Sequence, residues 1–252
     1  MWRSTRMVVL TAVSAALYAS ILIPFKVVPL IPGVTELRPA SAVPIVCSFL
    51  FGPAGAWGAA FGNAIGELFG GLGPGDLFGF LGNLALGFVP YAVWDACTDA
   101  PPDARTPRNV VALIAVIGVA SVLCATIVGW GLNLLGFHLF TVMASAVMVN
   151  STLVSIPLAP LLLRVLYPRL ARAQLLYRDV LGPRRRPPRA RRLLGVVLIV
   201  VGTLTAFAAG WSVASGWWVP SWTPWHTDRG SMEIGVGVSP FLAVVVLGCA
   251  LL

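Results

Sequence analysis

Apolar runs long enough to cross a bilayer recur along the whole chain, near 7–25, 39–52 joined to 53–70, 77–94, 109–132, 139–166, 193–218 and 234–252. A spanning helix needs about 17–25 apolar residues. Inside hydrocarbon, every backbone N–H and C=O must be satisfied by the protein itself. Gly52-Pro53 is a turn signal that divides 39–70 into two helices. The reading is an all-α polytopic membrane helical bundle of about eight spans, six followed by two. The second run is short and carries Pro39 and Pro44, so its limits are the least defined. Composition agrees: of 252 residues, 58% are hydrophobic and 10% charged. A soluble domain of that size could not hide so much apolar surface. The opening "MWRSTRMVVLTAVSAALYAS" also has the outline of a secretory signal peptide. Its apolar run continues through Phe25, which favours a retained first helix.

A net charge of +8 raises the question of a nucleic-acid partner, but ten of the seventeen basic residues fall between Arg164 and Arg192. That clustering is a topological signal, because basic loops stay on the cytoplasmic side. With Arg3 and Arg6 inside, alternate crossings place Arg105, Arg108 and the whole Arg164–Arg192 stretch inside as well. The opposite side receives the 26–38 loop, "GLGPGD" (71–76), the turn near His138 and the tryptophan-rich 217–230 loop. The expected location is the cell membrane, multi-pass, with no nucleic-acid partner. Residues 167–192 read as an Arg/Pro-rich cytoplasmic linker between a six-helix body (1–166) and a two-helix appendage (193–252). The first half of the linker could form a short amphipathic helix, and its Pro-Arg half would be attracted to anionic lipid.

Polar residues inside apolar runs are the candidates for function, since an ionised group near hydrocarbon needs a partner or a ligand. Glu36 and Arg38 stand beside the second run, at the outer end on this topology. On the run 53–70, Gly58, Gly62, Gly66 and Gly70 recur at four-residue spacing, a stripe suited to backbone-to-backbone helix packing. Asn63 and Glu67, also four apart, share a face beside it. A salt bridge from Glu67 to Arg38 is one expectation, a ligand-binding role the other. Asn83 lies between Gly79 and Gly87 on the following helix, and Asp76 is placed to cap that helix. His138, Asn133 and Asn150 could add hydrogen bonds from the fifth and sixth helices. Cys47, Cys97, Cys124 and Cys249 have no metal-ligand spacing and read as buried thiols. No GxSxG, HExxH, clustered His and Asp, or Walker-type phosphate loop is present. The chain is therefore read as having no resident metal or cofactor and no ATPase of its own.

The stretch "ELRPASAVPIVCSFLFGPAGAWGAAFGNAIGELFGGLGPGDLFGFLGNLALGFVPYAVW" follows a first helix whose small residues fall at Ala12 and Ala16 and at Ala15 and Ala19. Together these resemble the substrate-binding S component of an energy-coupling factor transporter, nearest the queuosine-precursor type. The shared features are an Arg-x-Ser/Ala segment, Gly-Pro, a Gly-rich Gly-Asn helix, an Asp and a Phe-Gly helix. The resemblance covers roughly residues 7–166, and the last two helices lie beyond the family pattern. It implies a non-catalytic subunit that captures a small vitamin-like or nucleobase-like solute from outside. A transmembrane coupling subunit and two ATPases would then drive release inside. On this reading Glu36, Arg38, Asn63, Glu67, Asp76, Asn83, His138 and Asn150 bind the solute. Ala12, Ala15, Ala16 and Ala19 would form the surface that docks the coupling subunit. The alternative is a membrane assembly protein that packs through its glycine helices and recruits lipid or a partner through the linker. A membrane enzyme would rest on Glu67 alone.

Overall fold

In the computed structural model, residues 1–2, 4–25, 29–31, 35–36, 38–137, 139–182, 186–222 and 233–252 are described, with 29–31, 35–36 and 233 described in their backbone only. Arg3, His138 and the 183–185 and 223–232 segments, on which part of the loop reading rests, lie outside the described residues. The chain runs α1 (Thr5–Phe25), a short antiparallel pairing of β1 (Pro29–Ile31) with β2 (Thr35–Glu36), and a 3₁₀ turn (Pro39–Ser41). Then come α2 (Ala42–Phe51), α3 (Pro53–Leu68), α4 (Asp76–Cys97), α5 (Pro107–Leu134) and α6 (Phe140–Arg172). A single turn, α7 (Tyr177–Leu181), precedes α8 (Arg189–Ala214) and α9 (Glu233–Leu251).

Local chemistry explains the boundaries. Gly52 closes α2 at φ 54°, a left-handed conformation that glycine adopts without strain, and Pro53 opens α3. Thr106 caps α5 by accepting from the Asn109 amide at 3.2 Å, with Pro107 at the first helical position. α6 runs on past residue 166 to Arg172, because Arg169 and Arg172 suit the negative end of its dipole. Among the described residues, six helices are long and apolar enough to cross a membrane: α1, α4, α5, α6, α8 and α9. The expected order of six helices followed by two is present among the described residues, with α2 and α3 shorter than the others. α2 and α3 have 10 and 16 residues, so α2 rises only about 15 Å and the two form a hairpin. α2 is short because it is internal: it touches α1, α3, α4 and α6, and nine of its ten residues are buried.

The glycine stripe holds α3 on α1. A Cβ at Gly58 would lie 2.9 Å from the Thr11 carbonyl oxygen, and one at Gly62 would lie 2.8 Å from that of Ala15. The last two helices pair with each other and rest mainly on α5. There the Trp130 indole donates to the Gly235 carbonyl at 2.8 Å, and the Gly235 amide donates to Asn133 Oδ1 at 2.9 Å. At the end where α4 stops and α8 starts, charged groups gather. Tyr177 covers Gly52 and donates to the Asp95 carboxylate at 2.6 Å, and Arg178 pairs with the same carboxylate. Arg186 pairs with Asp99, and its hydrogen bond and charge hold that carboxyl below its usual range.

Candidate functional site

At the opposite end, where α3 finishes and α4 begins, polar side chains converge on a cavity of ≈140 Å³. Arg38, Glu67, Asp76 and Asn83, far apart in sequence, all line it, with Tyr18 and Ser151. Apolar groups of α4, α5 and α6, such as Leu86, Val128 and Val147, complete the wall.

Each side chain is placed by its own segment. Arg38 precedes the Pro39 turn, and its backbone amide donates to Asn150 Oδ1 at 3.2 Å. Asn150 thus fixes the chain at Arg38 and is not among the residues lining the cavity. Arg38 Nη2 meets Glu67 Oε1 at 3.4 Å, with side chains 26% and 12% exposed. This is the ion pair expected from the sequence, although it is longer than the about 2.7–2.9 Å of a tight charge-assisted bond. The Tyr18 hydroxyl donates to Asn83 Oδ1 at 2.9 Å, and Asn83 Nδ2 donates to the Gly79 carbonyl at 2.8 Å. Behind Gly79 lies Asn63, fully buried, whose amide nitrogen and oxygen have no hydrogen-bond partner among the described residues. A Cβ at Gly79 would stand 3.0 Å from Asn63 Nδ2, so Asn63 packs behind Gly79 and is not among the residues that line the cavity. Each unsatisfied buried polar group costs about 1–3 kcal/mol.

Some expectations change. Asp76 does not cap α4. Gly75 occupies the cap position, Asp76 is the first helical residue, and its Oδ2 accepts from the Gly73 amide at 2.7 Å. The carboxylate therefore tightens the preceding loop while facing the cavity. Asn133 is drawn away to Gly235. Glu36 is described in its backbone only, and His138 lies outside the described residues. The alanines of α1 separate into two stripes: Ala15 and Ala19 are buried, and Ala12 and Ala16 are exposed on a groove of ≈630 Å³ between α1 and α3. Sequence reasoning missed Tyr18, Ser41 and Ser151. The available signal was Tyr18 itself, a phenol in the middle of an apolar helix and on the same face as Thr11, Ser14 and Ala15.

A protein-family model described as QueT transporter matches residues 8–168. No match was found among curated proteins or among solved structures. The matched region ends within α6 and leaves α8 and α9 outside it.

Proposed function

Because the chain belongs to the QueT transporter family, an S-component type of membrane transporter, we propose that it captures a small nucleobase-like or vitamin-like solute for uptake driven by partner subunits. The observation that carries this reading is the polar cavity built from Tyr18, Arg38, Glu67, Asp76 and Asn83 within an apolar bundle. Its ≈140 Å³ is below the about 300–1,000 Å³ of sites for drug-sized ligands, which suits a compact metabolite. A carboxylate accepts two parallel N–H bonds from a heterocycle edge, and a guanidinium donates to a carbonyl or carboxylate. Leu86 and Val128 offer apolar surface to the ring faces.

The cavity lies at the end away from the Arg-rich segment. With that segment cytoplasmic, it receives solute from outside. The orientation is tested by Gln174→Cys and Ser221→Cys, both at exposed positions, in a background lacking the four native cysteines. An impermeant thiol reagent applied to intact cells should label position 221 and leave position 174 unmodified. The reverse pattern overturns the orientation.

Release of the solute falls to a coupling subunit and two ATPases, since the chain has no phosphate-binding loop. Ala12 and Ala16, exposed on the α1–α3 groove, are the docking positions that remain open to a partner helix. Small side chains there permit close approach. The double change Ala12→Leu with Ala16→Leu should lower uptake about tenfold, the loss of roughly 1.4 kcal/mol of docking energy. Solute retained by the gently purified protein, identified by mass spectrometry, should be unchanged. Absence of any retained solute in the unmodified protein defeats the capture reading. Normal uptake by the double variant defeats the docking assignment alone.

A further inference from the structure

Between α4 and α9, with α5 as its floor, the bundle holds an apolar groove of ≈640 Å³. Leu84 and Phe88 form one wall, Leu242 and Val246 the other, and Leu123 and Ile127 the floor. On α9 its lining runs from Ser239 to Cys249, about 15 Å of helix. That is half of a hydrocarbon core about 30 Å thick, the depth of one leaflet.

At its basic end the groove meets a second cavity of ≈170 Å³, and the two share Phe88 and Tyr91. Asp95, Arg186 and Arg192 line this smaller cavity. The charges there do not cancel. Asp95 is taken by Tyr177 and Arg178, and Asp99 pairs with Arg186. Arg192 donates only to a neutral group, the Asp95 carbonyl, at 3.2 Å, and its Nε is buried with no hydrogen-bond partner among the described residues. Arg189 and Arg191, exposed in the same first turn of α8, add positive potential, as does the helix dipole.

We propose that the two cavities form one site for an anionic phospholipid of the leaflet on the basic side, its phosphate on Arg192 and Arg186 and one acyl chain in the α4–α9 groove. An apolar slot alone would accept any lipid tail. The excess positive charge at its mouth, from Arg192 with Arg189 and Arg191, selects a negative headgroup, and the groove distinguishes a lipid from a free phosphate. The lipid would also fill the gap between α4 and α9, tying the last two helices to the six-helix body.

Native mass spectrometry of the full chain tests this, with phosphatidylglycerol and phosphatidylcholine of equal chain length as probes. Phosphatidylglycerol should be retained in preference. Arg192→Gln should lower its retention about fivefold, the scale of one basic contact with an anionic membrane surface, while Arg192→Lys keeps most of it. Ala243→Phe, which fills the groove, should reduce retention of both lipids. Glycerol phosphate, having no tail, should displace neither. Equal retention of the two lipids by the unmodified protein overturns the proposal, and that comparison needs no variant to fold. So does undiminished phosphatidylglycerol binding by Arg192→Gln, or displacement by glycerol phosphate. Loss of a co-purifying protein from Ala243→Phe with lipid retention intact would assign the groove to a partner helix instead and overturn the lipid site.

Discussion

Arg38→Ala and Glu67→Gln are each expected to weaken solute retention by about 100-fold or more while the helices stay folded. Truncating one member of a buried, hydrogen-bonded charge pair at an interface costs about 2–5 kcal/mol, and each 1.4 kcal/mol is about tenfold. The competing account is a pair that only ties α3 to the segment before α2. Under that account each single change strands a poorly solvated charge and destabilises the fold by about 3–5 kcal/mol. Combining the two changes would then restore most of the stability. The geometry favours the ligand account: the contact is 3.4 Å, and both side chains face the cavity beside Tyr18 and Asn83. The double variant should therefore remain folded and still fail to bind. Thermal unfolding and mass-spectrometric solute retention, measured on both single variants and the double, separate the accounts. A folded double variant that retains solute normally sinks the pocket assignment.

Most of the helix order was legible because hydrocarbon leaves the backbone so few solutions. The ends of α4, α5 and α9 lie within a few residues of the apolar runs that announced them, and Gly52-Pro53 placed the α2–α3 turn. Less legible was the shortness of α2. Its residues are as apolar as those of a spanning helix, but the cause is enclosure by four other helices, which no local pattern encodes. The end of α6 was hidden for a different reason, since Arg169 and Arg172 read equally well as linker charges and as dipole partners. Within the site, Arg38, Glu67 and Asn83 were visible because a charge or amide in an apolar run demands an explanation. Tyr18 makes no such demand, since its ring is at home in hydrocarbon and its partner Asn83 lies 65 positions away. The alanines illustrate the same limit. Spacing alone generates two adjacent stripes on α1, and only the position of α3 decides that Ala15 and Ala19 are covered.

Gly58→Val and Gly87→Val are expected to destabilise the protein by about 1–3 kcal/mol or more each, as overpacking against an unyielding neighbour does. Both glycines meet groups that cannot rotate away. A Cβ at Gly87 would lie 2.6 Å from the Ala56 Cα, and one at Gly58 would lie 2.3 Å from the Ser14 Cβ. The α3 backbone must therefore move away from α4 in one case and from α1 in the other. Asn63 and Glu67 ride on α3, while Tyr18 and Asn83 sit on the helices it would leave. Solute retention should fall together with thermal stability. Gly118 on α5 is the contrast, because nothing lies within 4 Å of where its Cβ would be. Gly118→Ala should leave retention unchanged and alter stability by no more than the about 1 kcal/mol that helix propensity supplies in alanine's favour. Thermal unfolding of the three variants in one detergent decides the matter. A Gly58→Val protein that melts with the unmodified one would mean that α1 and α3 are not held backbone to backbone, and the solute cavity would lose the rigid wall that Tyr18 and Glu67 share.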